Sequence, residues 1–183
     1  YMLQYEIKRL NNNLIRLLSL YKATKNQFQI NVDYHSVLEF FEDVLMQNEP
    51  VLNSKGIILE LDCSEELFWT FDRGMLAGVV DNIINNAFRY TKEKVMTSAR
   101  EENGYLIIRI EDDGPGYPDC MLFNDGQSDM FSKEVNFNTG STGLGLYFAV
   151  LVAKSHNNRQ KEGFISITNG GCYGGGVFTI YIP

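Results

Sequence analysis

Three short stretches carry the side chains with chemistry to offer. The first is Asn82, Asn86 and Arg89, followed by Tyr90 and Thr91. Mg²⁺ takes oxygen ligands and keeps waters and substrate phosphates in its shell. An amide oxygen at Asn86 serves such an ion without adding negative charge beside a phosphate chain. A lone Asn more often caps or solvates a helix face, but its i, i+4 spacing from Asn82, with Arg89 a turn on, argues for a built site. The second stretch is Asp112-Asp-Gly-Pro-Gly116, directly after the alternating run Tyr105-Leu-Ile-Ile-Arg-Ile110. A carboxylate at a strand's mouth, followed by glycines that leave backbone bare, suits a flat purine. Its oxygens accept from an exocyclic amine such as adenine's, whereas guanine presents an acceptor there. Asp-Gly and Gly-Pro are also ordinary turn chemistry. Asp113 reads as a solvated neighbour. The third stretch is Gly140-Ser-Thr-Gly143-Leu144-Gly145-Leu. Its glycines allow close backbone approach, Thr142 offers a hydroxyl, and the N-terminus of a following helix presents unpaired N–H groups to an anion. Gly174 and Gly176 read equally well as a fourth such element or as a turn before the last strand.

Periodicity supplies the elements that must position them. Apolar residues Leu76, Val79, Val80, Ile83 and Ala87 predict a helix over about 73–90. At 100° per residue, Asn82, Asn86 and Arg89 fall within about 60° of one another beside that apolar face. Lys94–Arg100 and Tyr105–Glu111 predict a hairpin around Glu102-Asn-Gly104, and a helix is expected from about Gly143 to Ser155. Gly163–Thr168 and Val177–Ile182 predict two closing strands, and Ile57–Leu61 and Leu67–Phe71 two earlier ones. A helix from near Ser36 to Gln47 should end before Pro50, after an extended connector over Asn26–Asp33. Over the first 22 residues Leu3, Ile7, Leu10, Leu14, Leu17 and Tyr21 make a heptad stripe, the seam of a coiled coil or helical bundle that wants partner helices. Strands and helices segregate, so the fold class is α+β, a two-layer sandwich with a mixed sheet covered by helices on one face.

Composition narrows the function. Twenty-three acids against 16 bases give a net charge of −7, which argues against a nucleic-acid binder. Cys63, Cys120 and Cys172 are odd in number and form no C-x-x-C pair, which fits a reduced setting. The longest apolar run, Gly143 to Ala153, is too short to span a bilayer. The chain opens inside a helical pattern, so it reads as a fragment, with room upstream for a membrane-embedded portion.

In this order, the stretches resemble the nucleotide-binding boxes of sensor histidine kinases, members of the GHKL ATPase superfamily. The family's helix motif N-x-x-x-N-x-x-[KR]-[YHF]-[ST] is met by Asn82, Asn86, Arg89, Tyr90 and Thr91. Its D-x-G-x-G box is met by Asp112, Gly114 and Gly116, and its G-x-x-G-L-G-L box by Gly140, Gly143, Leu144 and Gly145. The resemblance implies a Bergerat ATP-binding fold with ATP and Mg²⁺ as cofactors. Asn86 would hold the metal, Arg89 and Asn82 would approach the phosphates, and Asp112 would read adenine. Residues 1–25 resemble the second helix of a dimerisation bundle, and residues 26–183 the ATP-binding catalytic domain. The implied function is transfer of the γ-phosphoryl group to a histidine on a bundle helix outside this chain, then to a response regulator receiver domain. A homodimer and a cytoplasmic placement under an inner-membrane parent come with it. Residues 117–139 would form the lid. No F-x-P-F-x-R-like box is found there, and Lys133 is its sole cation, a catalytic candidate with Asn86 and Arg89. Neither His35 nor His156 begins the H-[ED] signature of an acceptor helix, so the chain alone should not phosphorylate itself. Hydrolysing or serine-kinase relatives place a glutamate where Asn82 stands, which favours transfer to histidine. A degenerate kinase acting as a scaffold is the remaining alternative.

Overall fold

The computed structural model describes residues 2–123, 144–158 and 160–183. The elements run α1 (Met2–Thr24), β1 (Asp33–Ser36), α2 (Val37–Asn53), β2 (Ile58–Cys63), β3 (Phe68–Phe71), α3 (Arg73–Tyr90), β4 (Lys94–Glu102) and β5 (Tyr105–Asp112). After a 3₁₀ turn at Asp119–Met121 come α4 (Leu144–Ser155), β6 (Asn157–Asn158), β7 (Lys161–Glu162), β8 (Phe164–Asn169) and β9 (Gly176–Ile182).

Five strands form the main sheet in the order β2-β4-β5-β9-β8. β2 pairs parallel with β4, and the other three pairs are antiparallel. The β4–β5 hairpin closes on Asn103-Gly104, with φ of 53° and 70°. Both residues are left-handed, the twist that a two-residue hairpin loop needs and that Asn-Gly tolerates best. Alternation then decides which face is buried. Val95, Thr97 and Ala99 of β4 point inward, as do Leu106, Ile108 and Ile110 of β5. Phe178, Ile180 and Ile182 of β9 and Ile165 and Ile167 of β8 continue the layer. Against it pack Phe40, Phe41 and Val44 of α2, Leu76, Val80 and Ile84 of α3, and Phe148 and Val152 of α4. Each such side chain contributes about 1.5–3 kcal/mol by leaving water. This is the expected two-layer α+β sandwich.

Three expectations are corrected. α2 does not stop before Pro50 but runs through it to Asn53. Burial of Val44, Leu45 and Asn48 fixes the helix, and Asn48 donates from Nδ2 to the Val44 carbonyl and to Asp81 Oδ1. Pro50 removes one backbone donor near the helix end, a loss that these tertiary contacts override. Asp33, the last residue of the predicted connector, begins β1, which pairs antiparallel with β3 in a separate two-stranded sheet. His35 therefore sits in a strand opposite Trp69 rather than at a helix start. A two-residue hairpin of β6 and β7 was also not visible to periodicity, being too short to show any.

α1 packs against α4, and Ser19 and Leu20 in its C-terminal half are buried. Its other side is open: Ile7, Leu10, Leu14, Leu17 and Tyr21 of the heptad stripe are all at least half exposed. No helix among the described residues is long and apolar enough to cross a membrane.

Candidate functional site

The site is assembled around α3, so its anchoring comes first. Asp72 caps the helix, accepting from Met75 N at 2.9 Å through Oδ1 and from Asn31 N at 2.7 Å through Oδ2. Its own N–H donates to His156 Nε2 at 2.9 Å, and His156 Nδ1 lies 2.7 Å from the Val152 carbonyl. A backbone donor on Nε2 and a carbonyl acceptor on Nδ1 fix one neutral tautomer. Burial, the largest influence, disfavours the imidazolium and holds its pKa below the usual value despite the Val152 carbonyl and Asp72. His156 thus ties the end of α4 to the start of α3 and is structural.

At its other end, α3 meets the Asp112 loop. Gly114 packs so closely on the Tyr90 carbonyl that a methyl there would lie 2.7 Å from the oxygen. Asp112 Oδ1 accepts the N–H of Gly114 at 2.8 Å and of Gly176 at 3.2 Å. Oδ2 takes no protein donor among the described residues. One oxygen is thus tied to backbone and the other left for a ligand's amine. Tyr117, packed beside it, has a phenol held well above its usual range by burial and the Asp112 charge. Gly174–Gly176 therefore does more than turn the chain. Gly175 N donates to the Asp112 carbonyl at 3.1 Å, and Gly176 N orients the carboxylate. Buried Glu111 anchors the same loop, accepting from Cys172 N at 3.1 Å and from Arg109 at 2.9 Å.

Asp113 keeps contact with solvent, as expected of a solvated neighbour, and also accepts the N–H groups of Lys92 at 2.8 Å and Glu93 at 3.0 Å. Burial pushes its pKa up, but the N–H groups of Glu93, Lys92 and Lys94 outweigh that and hold the carboxyl below the usual range. It staples the loop to the segment leaving α3. Beyond Gly116, at φ 83°, Asn169 exchanges two bonds with Tyr117, accepting from its N at 2.7 Å and donating to its carbonyl at 2.8 Å.

The expected polar ridge on α3 divides. Asn82 is buried, Asn86 half-buried, and Arg89 and Tyr90 exposed. The side chains of Asn86 and Arg89 bond no described residue and are open to a ligand. Asn82 instead lies between α1 and α4. Its Oδ1 accepts from Arg16 Nη1 at 2.9 Å, and its amide lies against Gly145, where a methyl would collide with it. Leu144 and Gly145 form the first turn of α4, so the third stretch reaches the same helix as the first. Lys133, Gly140, Thr142 and Gly143 lie outside the described residues. Arg16 and Asn169 were not singled out by the sequence. Arg16 had no local signal, since its partner is 66 positions away.

The donor set suits a nucleotide and a hard cation. No cluster of His, Cys, Asp or Glu among the described residues fits a metal. The open amide oxygen of Asn86 suits Mg²⁺ carried with phosphates, which supply most of its ligands themselves. Cys63, Cys120 and Cys172 are all free.

The family described as histidine kinase-, DNA gyrase B-, and HSP90-like ATPase matches residues 71–183, well over half of the chain. Among curated relatives, the sensor protein PhoQ of Escherichia coli O157:H7 is 28% identical over 134 residues, 72% of this chain and 26% of PhoQ. PhoQ of Escherichia coli strain K12 is 33% identical over 98 residues, 52% of this chain and 20% of PhoQ. The chain spans about a quarter or less of the length of these relatives. Among solved structures, the Acinetobacter baumannii histidine kinase AdeS superposes with a TM-score of 0.73 at 26% identity, over 99% of this chain and 81% of AdeS. The catalytic domain of histidine kinase ThkA gives 0.69 at 22% identity, over 84% of this chain and 96% of that one, and shows the shared fold. Full-length ShkA in complex with AMPPNP gives 0.74 at 20% identity, over 98% of this chain and 37% of ShkA. An aspartate preset by glycine amides, an open asparagine on the adjoining helix and the family match thus agree, and the chain belongs to the histidine kinase-, DNA gyrase B- and HSP90-like ATPases.

Proposed function

We propose that residues 26–183 are the ATP-binding catalytic domain of a two-component sensor histidine kinase, and residues 1–25 the second helix of its dimerisation bundle. The observation that carries the ATP reading is Asp112, whose Oδ1 is held by the Gly114 and Gly176 amides while Oδ2 stays open. A fixed, charged acceptor selects a base that presents an amine, hence adenine over guanine. Asn86 would hold Mg²⁺, which would neutralise charge on the phosphates. Arg89, exposed one turn on, reaches for the same phosphates, and Lys133 of the lid is the second candidate cation. Catalysis of this kind is positioning and charge neutralisation rather than covalent chemistry.

The acceptor is a histidine on the bundle helix that would pair with α1. The exposed heptad face of α1 supports a bundle, and through it a homodimer in the intact kinase. From that histidine the phosphoryl group would pass to a response regulator receiver domain. A catalytic domain in the cytoplasm under an inner-membrane parent belongs to the same reading. A water-activating relative would need a base where Asn82 stands. A neutral amide, buried and bonded to Arg16, performs no such step.

The test is reconstitution. The chain should bind ATP in preference to GTP and fail to label itself with γ-phosphate. Joined to a preceding bundle helix that carries a histidine followed by an acid, it should dimerise and form acid-labile phosphohistidine. Self-labelling of residues 1–183 at His35 or His156 would overturn the assignment.

A further inference from the structure

Arg16 of α1 reaches across to α3. Its Nη1 donates to Asn82 Oδ1 at 2.9 Å and its Nη2 to the Gly78 carbonyl at 3.2 Å, with a longer 3.4 Å contact to Asn13 Oδ1. All three acceptors are neutral, and Arg16 Nε is buried with no hydrogen-bond partner among the described residues. Burial, more than the nearby Asp81 charge can offset, disfavours the guanidinium. The half-buried guanidinium thus sits among neutral hydrogen-bond acceptors, with Asp81 as its nearby opposite charge.

The contact also decides which way the Asn82 amide points. A guanidinium only donates, so only the amide oxygen can face it. The NH₂ group is thereby turned away from Arg16. That Nδ2 is buried and has no acceptor among the described residues, in a side chain whose residue is only 7% exposed. The amide lies against Gly145, in the first turn of the 12-residue helix α4, where backbone N–H groups lack intrahelical partners. An unmet buried donor beside a helix N-terminus suits an anion's oxygen.

Building on the nucleotide reading above, we propose that Arg16 is a positioning residue of the nucleotide site. It holds Asn82 by its amide oxygen so that the NH₂ donates to a phosphate oxygen of the bound nucleotide at the start of α4. Asn82 then serves phosphate and not metal, which leaves Asn86 as the amide with an open oxygen for the cation. The guanidinium adds positive charge from the bundle helix, where residues 117–139 hold Lys133 as their sole cation. Nucleotide affinity thus becomes sensitive to whether α1 is seated on α3.

Calorimetry on the full chain tests this, with AMP-PNP, ADP and adenosine as probes, each in Mg²⁺ and in EDTA. Arg16→Gln should lower AMP-PNP affinity about tenfold, in EDTA as well as in Mg²⁺, while adenosine affinity stays within about twofold. Arg16→Lys should recover only part of the loss, because one ammonium cannot hold Asn82 and Gly78 in the same fork geometry. In an Asn82→Ala background, Arg16→Gln should cost less than about threefold more, since the two act as a unit. Unchanged or raised AMP-PNP affinity in Arg16→Gln would overturn the proposal, the latter showing that the contact blocks the site. Adenosine affinity falling in step would overturn it too, by showing general damage to the fold. If the unaltered chain binds neither adenosine nor AMP-PNP, the nucleotide reading itself fails. If it binds both and Arg16→Gln matches it, only the role of Arg16 falls.

Discussion

Replacing Asp112 by Asn should change which base the chain prefers, because the two carboxylate oxygens have different tasks. Oδ1 accepts from Gly114 N at 2.8 Å and Gly176 N at 3.2 Å. In Asp112→Asn those two donors keep the amide oxygen at the Oδ1 position, since turning the amide would set NH₂ against two N–H groups. The new NH₂ must then occupy the Oδ2 position and face the base. For adenine, this removes a charge-assisted hydrogen bond of about 1.5–3 kcal/mol and sets donor against donor. ATP affinity should fall roughly 10–150-fold. Guanine presents an acceptor at that position, so GTP should lose nothing there and gain a neutral bond of about 0.5–1.5 kcal/mol. The ATP-to-GTP preference should narrow or invert, as read by calorimetry with both nucleotides. Asp112→Ala should weaken both ATP binding and the loop, because Gly114 and Gly176 lose their acceptor. If Asp112→Asn binds ATP as the unaltered chain does, Asp112 does not read the base.

Three further outcomes follow from the same geometry. Asn86→Asp would put negative charge beside the phosphates at a half-buried position without partners among the described residues. It should weaken Mg·ATP binding or abolish transfer in the intact kinase while leaving thermal stability within about 0.5 kcal/mol. Below about pH 6.5 the unfolded chain protonates at residue 156 while folded His156, its pKa lowered, resists. Stability should fall by up to about 1.4 kcal/mol per pH unit in that window from this group alone, until the folded pKa is passed. His156→Gln should remove that part of the slope in urea melts at pH 7, 6 and 5. Gly175→Ala would drive a methyl into the Asp112 carbonyl and to 2.7 Å from Gly114 N. It should cost about 1–3 kcal/mol of stability and lower ATP affinity with it, read by thermal melts and titration.

Much of the framework was legible because its causes are local. α3 starts and stops where the sequence says, at Arg73 and Tyr90. Asp72 caps it within three residues, and its buried residues recur at helical spacing. The β4–β5 hairpin was legible because Asn103-Gly104 tolerates the two left-handed φ angles that the turn imposes. Asp112, Gly114 and Gly116 could be recognised because spacing along one loop survives in the chain itself.

What the chain alone left open depends on partners far apart in sequence. That β2 pairs parallel with β4, and β1 antiparallel with β3, is decided by pairing between distant segments, and a run of alternating residues does not name its neighbour. Pro50 was read as a stop because its cost is local, whereas the contacts that carry α2 past it come from Asp81, on α3. The glycines at 174–176 had two equal readings until folding brought Gly176 N within 3.2 Å of Asp112, 64 positions earlier. Asn82 looked like a member of an open ridge with Asn86. Only the seating of α1 and α4 on α3 shows that it is buried and held by Arg16. Periodicity assigns a residue to a face, but which element covers that face is decided by the packing of the whole chain.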